Sequence, residues 1–475
     1  MNVFITGGTG FIGRALTLRL RQRGHSVTVL TRSPKKARNV LGREAELLSV
    51  SSGEAGLSAA LERADAVVNL AGESLLGGRW TESKKARLRE SRVDLTQELV
   101  ELMKSTTSRP KVLVSASAVG IYGDRGEREI TESEPPTSGF LSELCVDWES
   151  AAMEAEKKGV RVVTPRFGVV LGREDGALAQ MLPAFRLGLG GPIGPGNQFV
   201  PWIHIDDLIE LIIEVIADDR YSGPVNATAP IPVTFRTLAK SIGAVLNRPA
   251  VLRVPSIALK AIFGQASSVL TQSQRVVPQR ASELDFEFTY STIETALTDL
   301  LDTGSIAIER VDIATLPDSQ YLEKRPPRYA LRTDSVIERP VSEVFGFFSN
   351  PENLGLITPP AMKFQIVDSK GAVGEGDEIR YRFKVGPVSF SWTTRIETWR
   401  ENSRFVDVQA RGPYACWWHE HQFEEHGEHT LMRDTVYYSP PAGPLGRLAN
   451  RLFVADQLKR VFEYRTAVLH RRFND

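Results

Sequence analysis

The sequence predicts an α/β domain built on a doubly wound parallel sheet with a small substrate lobe, followed by an α+β domain. Three observations carry that prediction. Short apolar segments alternate with stretches of helical periodicity over residues 1 to about 175, the pattern of a parallel sheet covered on both faces. A glycine-rich turn follows the first apolar segment at once. Beyond a charged, proline-bearing stretch at 302–327, extended segments of alternating polarity take over and end in one long helix.

The first strand, 2–6, holds Val3-Phe4-Ile5 and runs into Thr6-Gly7-Gly8-Thr9-Gly10-Phe11-Ile12-Gly13, after which residues 15–20 have helical spacing. Strand, glycine turn and helix in that order make a Rossmann-type dinucleotide site. Gly7 permits the tight turn, Gly10 lets the backbone approach a pyrophosphate, and Gly13 lets the helix pack close to its strand. The phosphates would rest on free N–H groups at the positive end of the helix. The alternative is a turn whose glycines serve packing alone.

The second strand, 26–31, ends at Thr31-Arg32-Ser33, with Lys35, Lys36 and Arg38 close behind. An NAD site places Asp or Glu near this point for the ribose 2′-hydroxyl. Here a guanidinium stands beside a hydroxyl, a pairing suited to a 2′-phosphate, so NADP(H) is the expected cofactor. The competing reading is a solvated basic loop. Further strands are expected at 66–70, 111–116 and 160–164, with a helix from Thr81 to Ser105.

From Gly176 to about Leu301 the chain changes character, opening with the turn-dense run from Gly188 to Gly196. This segment is expected to form the substrate lobe over the carboxyl edge of the sheet, completing a first domain at 1–301. Asp302-Thr303-Gly304-Ser305 opens a linker over 302–327, and Glu323-Lys324-Arg325-Pro326-Pro327 closes it. In the second domain, 328–475, Tyr329 to Ile337 is extended. A helix with Val344, Phe345, Phe347 and Phe348 follows Pro340, a shorter one begins at Pro351, and a closing helix runs from about Leu445 to Phe473.

At 475 residues the chain has room for two or three domains. Lys plus Arg equals Asp plus Glu at 58 each, so no global charge draws it to nucleic acid or an anionic membrane. Two cysteines, Cys145 and Cys416, exclude a disulfide framework. The most apolar stretch, Ile203 to Ala217, is broken by His204, Asp206, Asp207, Glu210 and Glu214, and no signal peptide precedes the first strand. A cytoplasmic protein with a small-molecule substrate is expected; the oligomeric state stays open.

Motifs spread over the first three hundred residues add to this reading: Asn69-Leu70-Ala71-Gly72-Glu73, Arg79-Trp80, Ser91-Arg92, Ser115-Ala116-Ser117-Ala118, Arg166 to Gly172, Gly188 to Gly194, Pro201-Trp202-Ile203-His204, and Asn226 to Pro230. With them the segment resembles the extended short-chain dehydrogenase/reductase superfamily, in its atypical epimerase-like, cell-division-inhibitor-like NADP-binding branch. The resemblance implies that Thr31 and Arg32 hold the adenosine phosphate end. Leu70 and Ala71 would line the cofactor, Arg92 would reach toward it, and Val170 would flank the nicotinamide, beside Gly7, Gly10, Phe11, Ile12 and Gly13 of the turn. The last 150 residues resemble the START-like (SRPBCC) helix-grip superfamily. They share its first strand, its Pro-x-x-x-Val-Phe-x-Phe-Phe helix, the Asn350-Pro351-Glu352-Asn353-Leu354 turn, a strand meander and the closing helix. That resemblance implies a cavity for an apolar ligand.

Working members of the reductase superfamily use Ser or Thr and then Tyr-x-x-x-Lys, the lysine lowering the pKa of a phenol that is otherwise a poor base at neutral pH. Ser117 matches the serine. In Phe140-Leu141-Ser142-Glu143-Leu144-Cys145-Val146-Asp147-Trp148-Glu149, however, Leu141 stands where Tyr belongs and Cys145 where Lys belongs. The catalytic candidates are therefore Ser117, to polarise the reacting oxygen, and Tyr122, the nearest phenol, as acid or base; Tyr122 also reads as a packed aromatic. Arg79, Trp80, Trp202 and His204 are candidates for the substrate cleft, although His204 reads first as a tie between the two lobes. Cys145 reads as a small buried hydrophobe.

In the second domain His419 and His421 fall on one face of an extended segment, interleaved with glutamates. No metal is expected there; Tyr414, Trp417 and His419 would line or cap the cavity. The whole predicts an NADP(H)-dependent oxidoreductase or epimerase-like enzyme for a small carbonyl, hydroxyl or sugar-nucleotide substrate. The alternative is a catalytically degenerate NADPH sensor or regulatory protein with an apolar-ligand domain.

Overall fold

The computed structural model describes residues 1–41, 45–75, 78–173, 175–301, 306–312, 316–369, 371–386 and 388–473. The chain divides into two units, Met1–Asp302 and Thr303–Asp475.

Seven main strands form the sheet of the first unit: β1 (Asn2–Thr6), β2 (Ser26–Thr31), β3 (Glu46–Ser49), β4 (Ala66–Asn69), β5 (Val112–Ser115), β6 (Arg161–Phe167) and β7 (Gly223–Ala227). All pair in parallel, in the order β7-β6-β5-β4-β1-β2-β3, and the short strand Ser117–Ala118 adds to β6. Alternate residues serve opposite cores. Val3, Ile5, Val68 and Val114 pack on one side, while Phe4, Val67 and Leu113 pack on the other. Each such side chain, fully buried, contributes about 1.5–3 kcal/mol.

Three helices position the site: α1 (Phe11–Gln22), α2 (Phe140–Met153) and α3 (Ile205–Ala217). The charges that interrupt the apolar run at 203–217 lie to one side of α3. Leu208, Leu211, Ile212 and Val215 are buried against the sheet, and Glu210 reaches Arg19 of α1 at 3.0 Å. No helix among the described residues is long and apolar enough to cross a membrane.

Several boundaries differ from the sequence reading. The helix expected from Thr81 to Ser105 is two α-helical pieces, Glu82–Arg89 and Leu95–Ser105, joined by a π turn at Glu90–Asp94. Nor does the segment 176–301 lie wholly in a separate lobe. Residues 205–217 and 223–227 return to the sheet as α3 and β7, and helices Gly176–Arg186, Phe235–Val245 and Ile293–Leu301 build a second core around Trp202.

The second unit is one antiparallel sheet: β8 (Ala307–Arg310), β9 (Tyr329–Ile337), β10 (Gln365–Asp368), β11 (Glu378–Val385), β12 (Val388–Arg400), β13 (Arg404–Arg411), β14 (Cys416–His426) and β15 (His429–Ser439). Their order is β8-β9-β15-β14-β13-β12-β11-β10. On its inner face lie α4 (Val341–Phe348) and the long α5 (Ala455–Phe473). Phe345, Phe405, Phe423, Tyr464 and Leu469 share one core there. The closing helix is not continuous from 445: Gly443–Ala449 precedes a π turn at Asn450–Val454. The stretch read as a linker also contributes structure. Residues 307–310 form the edge strand β8, and helix Gln320–Lys324 places Leu322 against Val406, Val408 and Trp418 on the outer face. The remaining linker positions 302–305 and 313–315 lie outside the described residues.

Candidate active site

The order of the sheet reverses at β1, flanked by β2 and β4, and the glycine turn leaves the carboxyl end of β1 at that point. Gly7 has φ +69°, and a Cβ there would lie 2.6 Å from the Leu70 carbonyl. A Cβ on Gly13 would lie 2.4 Å from the Gly7 carbonyl oxygen. The Gly10 N–H donates to that oxygen at 2.9 Å and closes the turn. No side chain caps α1, so its first N–H groups face the space before the turn with the positive end of the helix dipole behind them. A turn that leaves room for nothing but backbone, ahead of uncapped donors, suits a diphosphate.

Around this space Leu70 N–H donates to the Thr6 carbonyl at 3.2 Å and Ala71 N–H to Thr6 Oγ1 at 3.3 Å, so β4 delivers both residues to the turn. Arg92, swung in by the π turn, donates from Nη2 to the Glu73 carbonyl at 2.9 Å and lies against Gly72, where a Cβ would meet its Cζ at 2.9 Å. Burial lowers the Arg92 pKa, and a guanidinium remains charged through such a shift. At the end of β2, Thr31 Oγ1 accepts from Ser33 N–H at 3.2 Å. Arg32 beside it is exposed and has no hydrogen bond or ion pair among the described residues.

Gly7, Gly10, Phe11, Ile12, Gly13, Leu70, Ala71, Arg92, Ser117 and Val170 line one cavity of about 580 Å³. Thr31 and Arg32 lie outside it. The cavity continues past Ser117 to Leu141, Cys145 and Trp148 of α2, a wall without an ionisable group at neutral pH: burial pushes the Cys145 thiol up to about 12.

Ser117 Oγ donates to Glu149 Oε1 at 2.6 Å. Arg166 holds Glu149 in a two-point grip, Nε to Oε1 and Nη2 to Oε2, both at 2.8 Å. Its third nitrogen donates to Tyr122 Oη at 2.7 Å, and Tyr122 Oη donates to Asn226 Oδ1 at 2.7 Å. Glu149 and Arg166 are thus hydrogen-bonded neighbours of the Ser117 position that the sequence reading left without a role. Their only sequence signal was membership of the Trp148-Glu149 and Arg166-Phe167-Gly168 runs.

Four expected site residues stand elsewhere. Tyr122 is fully buried, does not line the cavity, and burial pushes its phenol up to about 12, so it has neither the access nor the pKa of an acid or base for a substrate there. His204 is fully buried as the N-cap of α3. Its Nδ1 accepts from Asp206 N–H at 3.1 Å, its Nε2 meets Asp299 at 3.1 Å, and its ring stacks on Tyr290 at 3.8 Å. Trp202 is buried, with Nε1 bonded to the Ile231 carbonyl at 3.0 Å. Arg79 binds the Ala261 and Ile262 carbonyls at the end of a neighbouring helix. Trp80 differs: it borders a second, open recess that also touches Gly120 and Leu141, so this recess adjoins the cavity.

Comparison with known proteins places these features. Residues 3–227 match the NAD dependent epimerase/dehydratase family, 254–300 a domain of unknown function (DUF1731), and 337–462 the polyketide cyclase / dehydrase and lipid transport family. An Arabidopsis thaliana protein, the chloroplastic epimerase family protein SDR39U1 homolog, is 42% identical over 299 residues, covering 62% of this chain and 86% of its own. Epimerase family protein YfhF of Bacillus subtilis is 39% identical over 302 residues, covering 63% and 98%. Among solved structures, human epimerase family protein SDR39U1 with NADPH is 36% identical with a TM-score of 0.58, covering 64% of this chain and 99% of that one. UDP-glucuronic acid 4-epimerase from Bacillus cereus, at 16% identity and TM-score 0.52, shares the fold alone over 64% of this chain and 98% of its own.

Proposed function

We propose, from the premise that this chain belongs to the epimerase family, that its first unit binds NADP(H) and moves hydride to or from a small carbonyl, hydroxyl or sugar-nucleotide substrate. One observation carries this reading: a single cavity runs from the glycine turn to Ser117. Gly7 and Gly13 keep open the space a pyrophosphate needs, and the uncapped N–H groups of α1 face it. Arg32, exposed and without a hydrogen bond or ion pair among the described residues, is the cation that a 2′-phosphate would meet, and the human relative is solved with NADPH. Bound there, the nicotinamide supplies or accepts the hydride.

The chain's own residues handle the proton. Because Ser117 Oγ donates to Glu149, it presents lone pairs to a substrate hydroxyl. As the substrate's proton moves onto Oγ, the serine's own passes to Glu149 Oε1, and reduction runs the same path in reverse. Arg166 keeps the carboxylate aimed at Ser117. The apolar wall of Leu141, Leu144 and Trp148 excludes competing water.

Titration with NADPH and NADH, read by energy transfer from tryptophan to nicotinamide, tests the binding. Arg32→Ala should weaken NADPH about tenfold or more, the worth of one charge-assisted hydrogen bond, and leave NADH unchanged. Equal loss for both cofactors would remove the 2′-phosphate from the reading. Ser117→Ala and Glu149→Gln should then bind NADPH normally and lose turnover.

A second reading, an NADPH sensor, is favoured by Leu141 and Cys145 standing where the superfamily carries Tyr and Lys. Bound NADPH that stays unoxidised across carbonyl and sugar-nucleotide substrates would select it. In either case the second unit takes an apolar ligand near Tyr381, Trp392, Tyr414 and Trp417, whose rings pack within 6.1 Å of one another along the cluster.

A further inference from the structure

Inside the second unit, strand register assembles a set of polar side chains that no local motif announces. Asp407 of β13 stands directly opposite His419 of β14, and His421 of β14 directly opposite Asp434 of β15. With period-two alternation, all four project from the same face of the sheet, beneath α5. His419, His421 and Asp434 are buried, and Asp407 is only partly exposed. Arg465 of α5, also buried, closes the group from above, with its guanidinium 4.8 Å from the centre of the Phe348 ring.

We propose that this group is a divalent transition-metal site, with Asp407 Oδ2, His419 Nδ1 and His421 Nε2 as ligands. Three features lead there. First, the donors have the spacing of atoms that share an ion. Asp407 Oδ2 is 3.3 Å from His419 Nδ1 and 3.1 Å from His421 Nε2. Ligands each about 2.0–2.2 Å from one metal stand roughly 3.0–3.5 Å apart in tetrahedral or octahedral geometry.

Second, the far side of each imidazole faces a carboxylate. His419 Nε2 is 3.2 Å and His421 Nδ1 2.7 Å from the same Asp434 Oδ1. A proton on each of those nitrogens, donated to Asp434, leaves lone pairs on the two nitrogens that converge at Asp407. In that tautomer one carboxylate orients both rings, the outer-sphere arrangement found behind metal-binding histidines. Arg465 Nε lies 3.3 Å from Asp434 Oδ2 and holds that carboxylate in turn. Its Nη2 also stands 3.0 Å from His421 Nδ1, where it donates when that nitrogen is unprotonated.

Third, the charges do not close without a cation. Two carboxylates and one guanidinium leave a net negative charge in a buried site when both histidines are neutral, and such a charge is costly unless paired. Either a second proton on His419 or a metal ion at the convergence supplies it. Two imidazoles and one carboxylate suit Zn²⁺, Fe²⁺ or Co²⁺ rather than Mg²⁺ or Ca²⁺.

A second His–Asp grouping among the described residues, His204 with Asp206 and Asp299, lacks this property. His204 Nδ1 is committed to the N-terminus of α3, accepting from Asp206 N–H, and has no lone pair left. It serves as an internal control.

Co²⁺ titration of the full-length, chelator-treated protein distinguishes ion from proton, read by visible absorption and by calorimetry in buffers of different ionisation heat. The expected result is one Co²⁺ per chain with ligand-field bands, displaced by Zn²⁺, with proton release on binding. Asp407→Asn and His421→Ala should weaken binding by a hundredfold or more, Asp434→Asn by about 10–100-fold, and Asp299→Asn not at all. NADPH titration of each variant reports whether the rest of the chain is intact. Should a histidine variant fail to fold, near-isosteric Asp407→Asn and the wild-type stoichiometry decide alone. Absence of binding to the wild-type, or binding that survives Asp407→Asn, overturns the proposal.

Discussion

At Gly13 a single methyl group would stand 2.4 Å from the Gly7 carbonyl oxygen, so Gly13→Ala must push α1 away from the turn. The same displacement moves the uncapped N–H groups. Melting temperature and NADPH affinity should therefore fall together, which differential scanning fluorimetry with and without NADPH would read in one experiment. Tyr122 makes the opposite case. Tyr122→Phe removes a buried hydroxyl that satisfies Asn226 and Arg166 and does not itself line the cavity. It should cost about 1–3 kcal/mol in urea unfolding, the penalty for unpaired buried polar groups, with NADPH affinity unchanged. Loss of cofactor affinity in that variant would contradict the placement of Tyr122 outside the site. Tyr122 looked catalytic in sequence because residue type and distance along the chain are readable there, whereas depth is not.

Elements with a local cause could be read directly. The glycine turn, β1, β2 and the extended segment at 329–337 each carry their own periodicity or turn chemistry, and the structure places them at the expected positions. Elements whose cause lies elsewhere could not. Glu46–Ser49 is largely half-exposed and becomes a strand by pairing with β2, and Gly223–Ala227 has a single large apolar residue and is held by β6. The π turn at Glu90–Asp94 leaves the spacing of Leu88, Val93 and Leu99 close to helical, so only the structure reveals the extra residue that brings Arg92 to the cavity. His204 belongs to this scale as well. As the N-cap of α3 it should, when changed to Ala, cost about 1 kcal/mol or more of stability in denaturant titrations while NADPH affinity holds. A selective loss of NADPH affinity instead would return His204 to the site.

At the scale of the whole molecule each unit has cores of its own: among the described residues five clusters lie in Met1–Asp302 and four in the remainder. Calorimetric unfolding should accordingly depart from a single two-state transition. NADPH at about 100 times its dissociation constant should stabilise one transition by about 2.7 kcal/mol and leave the other in place. A single transition moved as a whole by NADPH would mean that the units unfold together. The glycine turn of the first unit was legible because its glycines shape the backbone where they stand in the chain. The Asp407–His419–His421–Asp434 group was not, because two of its members become neighbours of the histidines only through strand register.

That register also bears on the order of assembly. His419, His421 and Asp434 lie on one hairpin, closed at Gly427 and Glu428, so the three can meet within the microseconds in which hairpins zip. Asp407 and Arg465 join later, from the preceding strand and the last helix. An ion present as the chain leaves the ribosome would therefore encounter a half-built ligand set before the domain is complete. It would act on the pace of folding as well as on the finished protein.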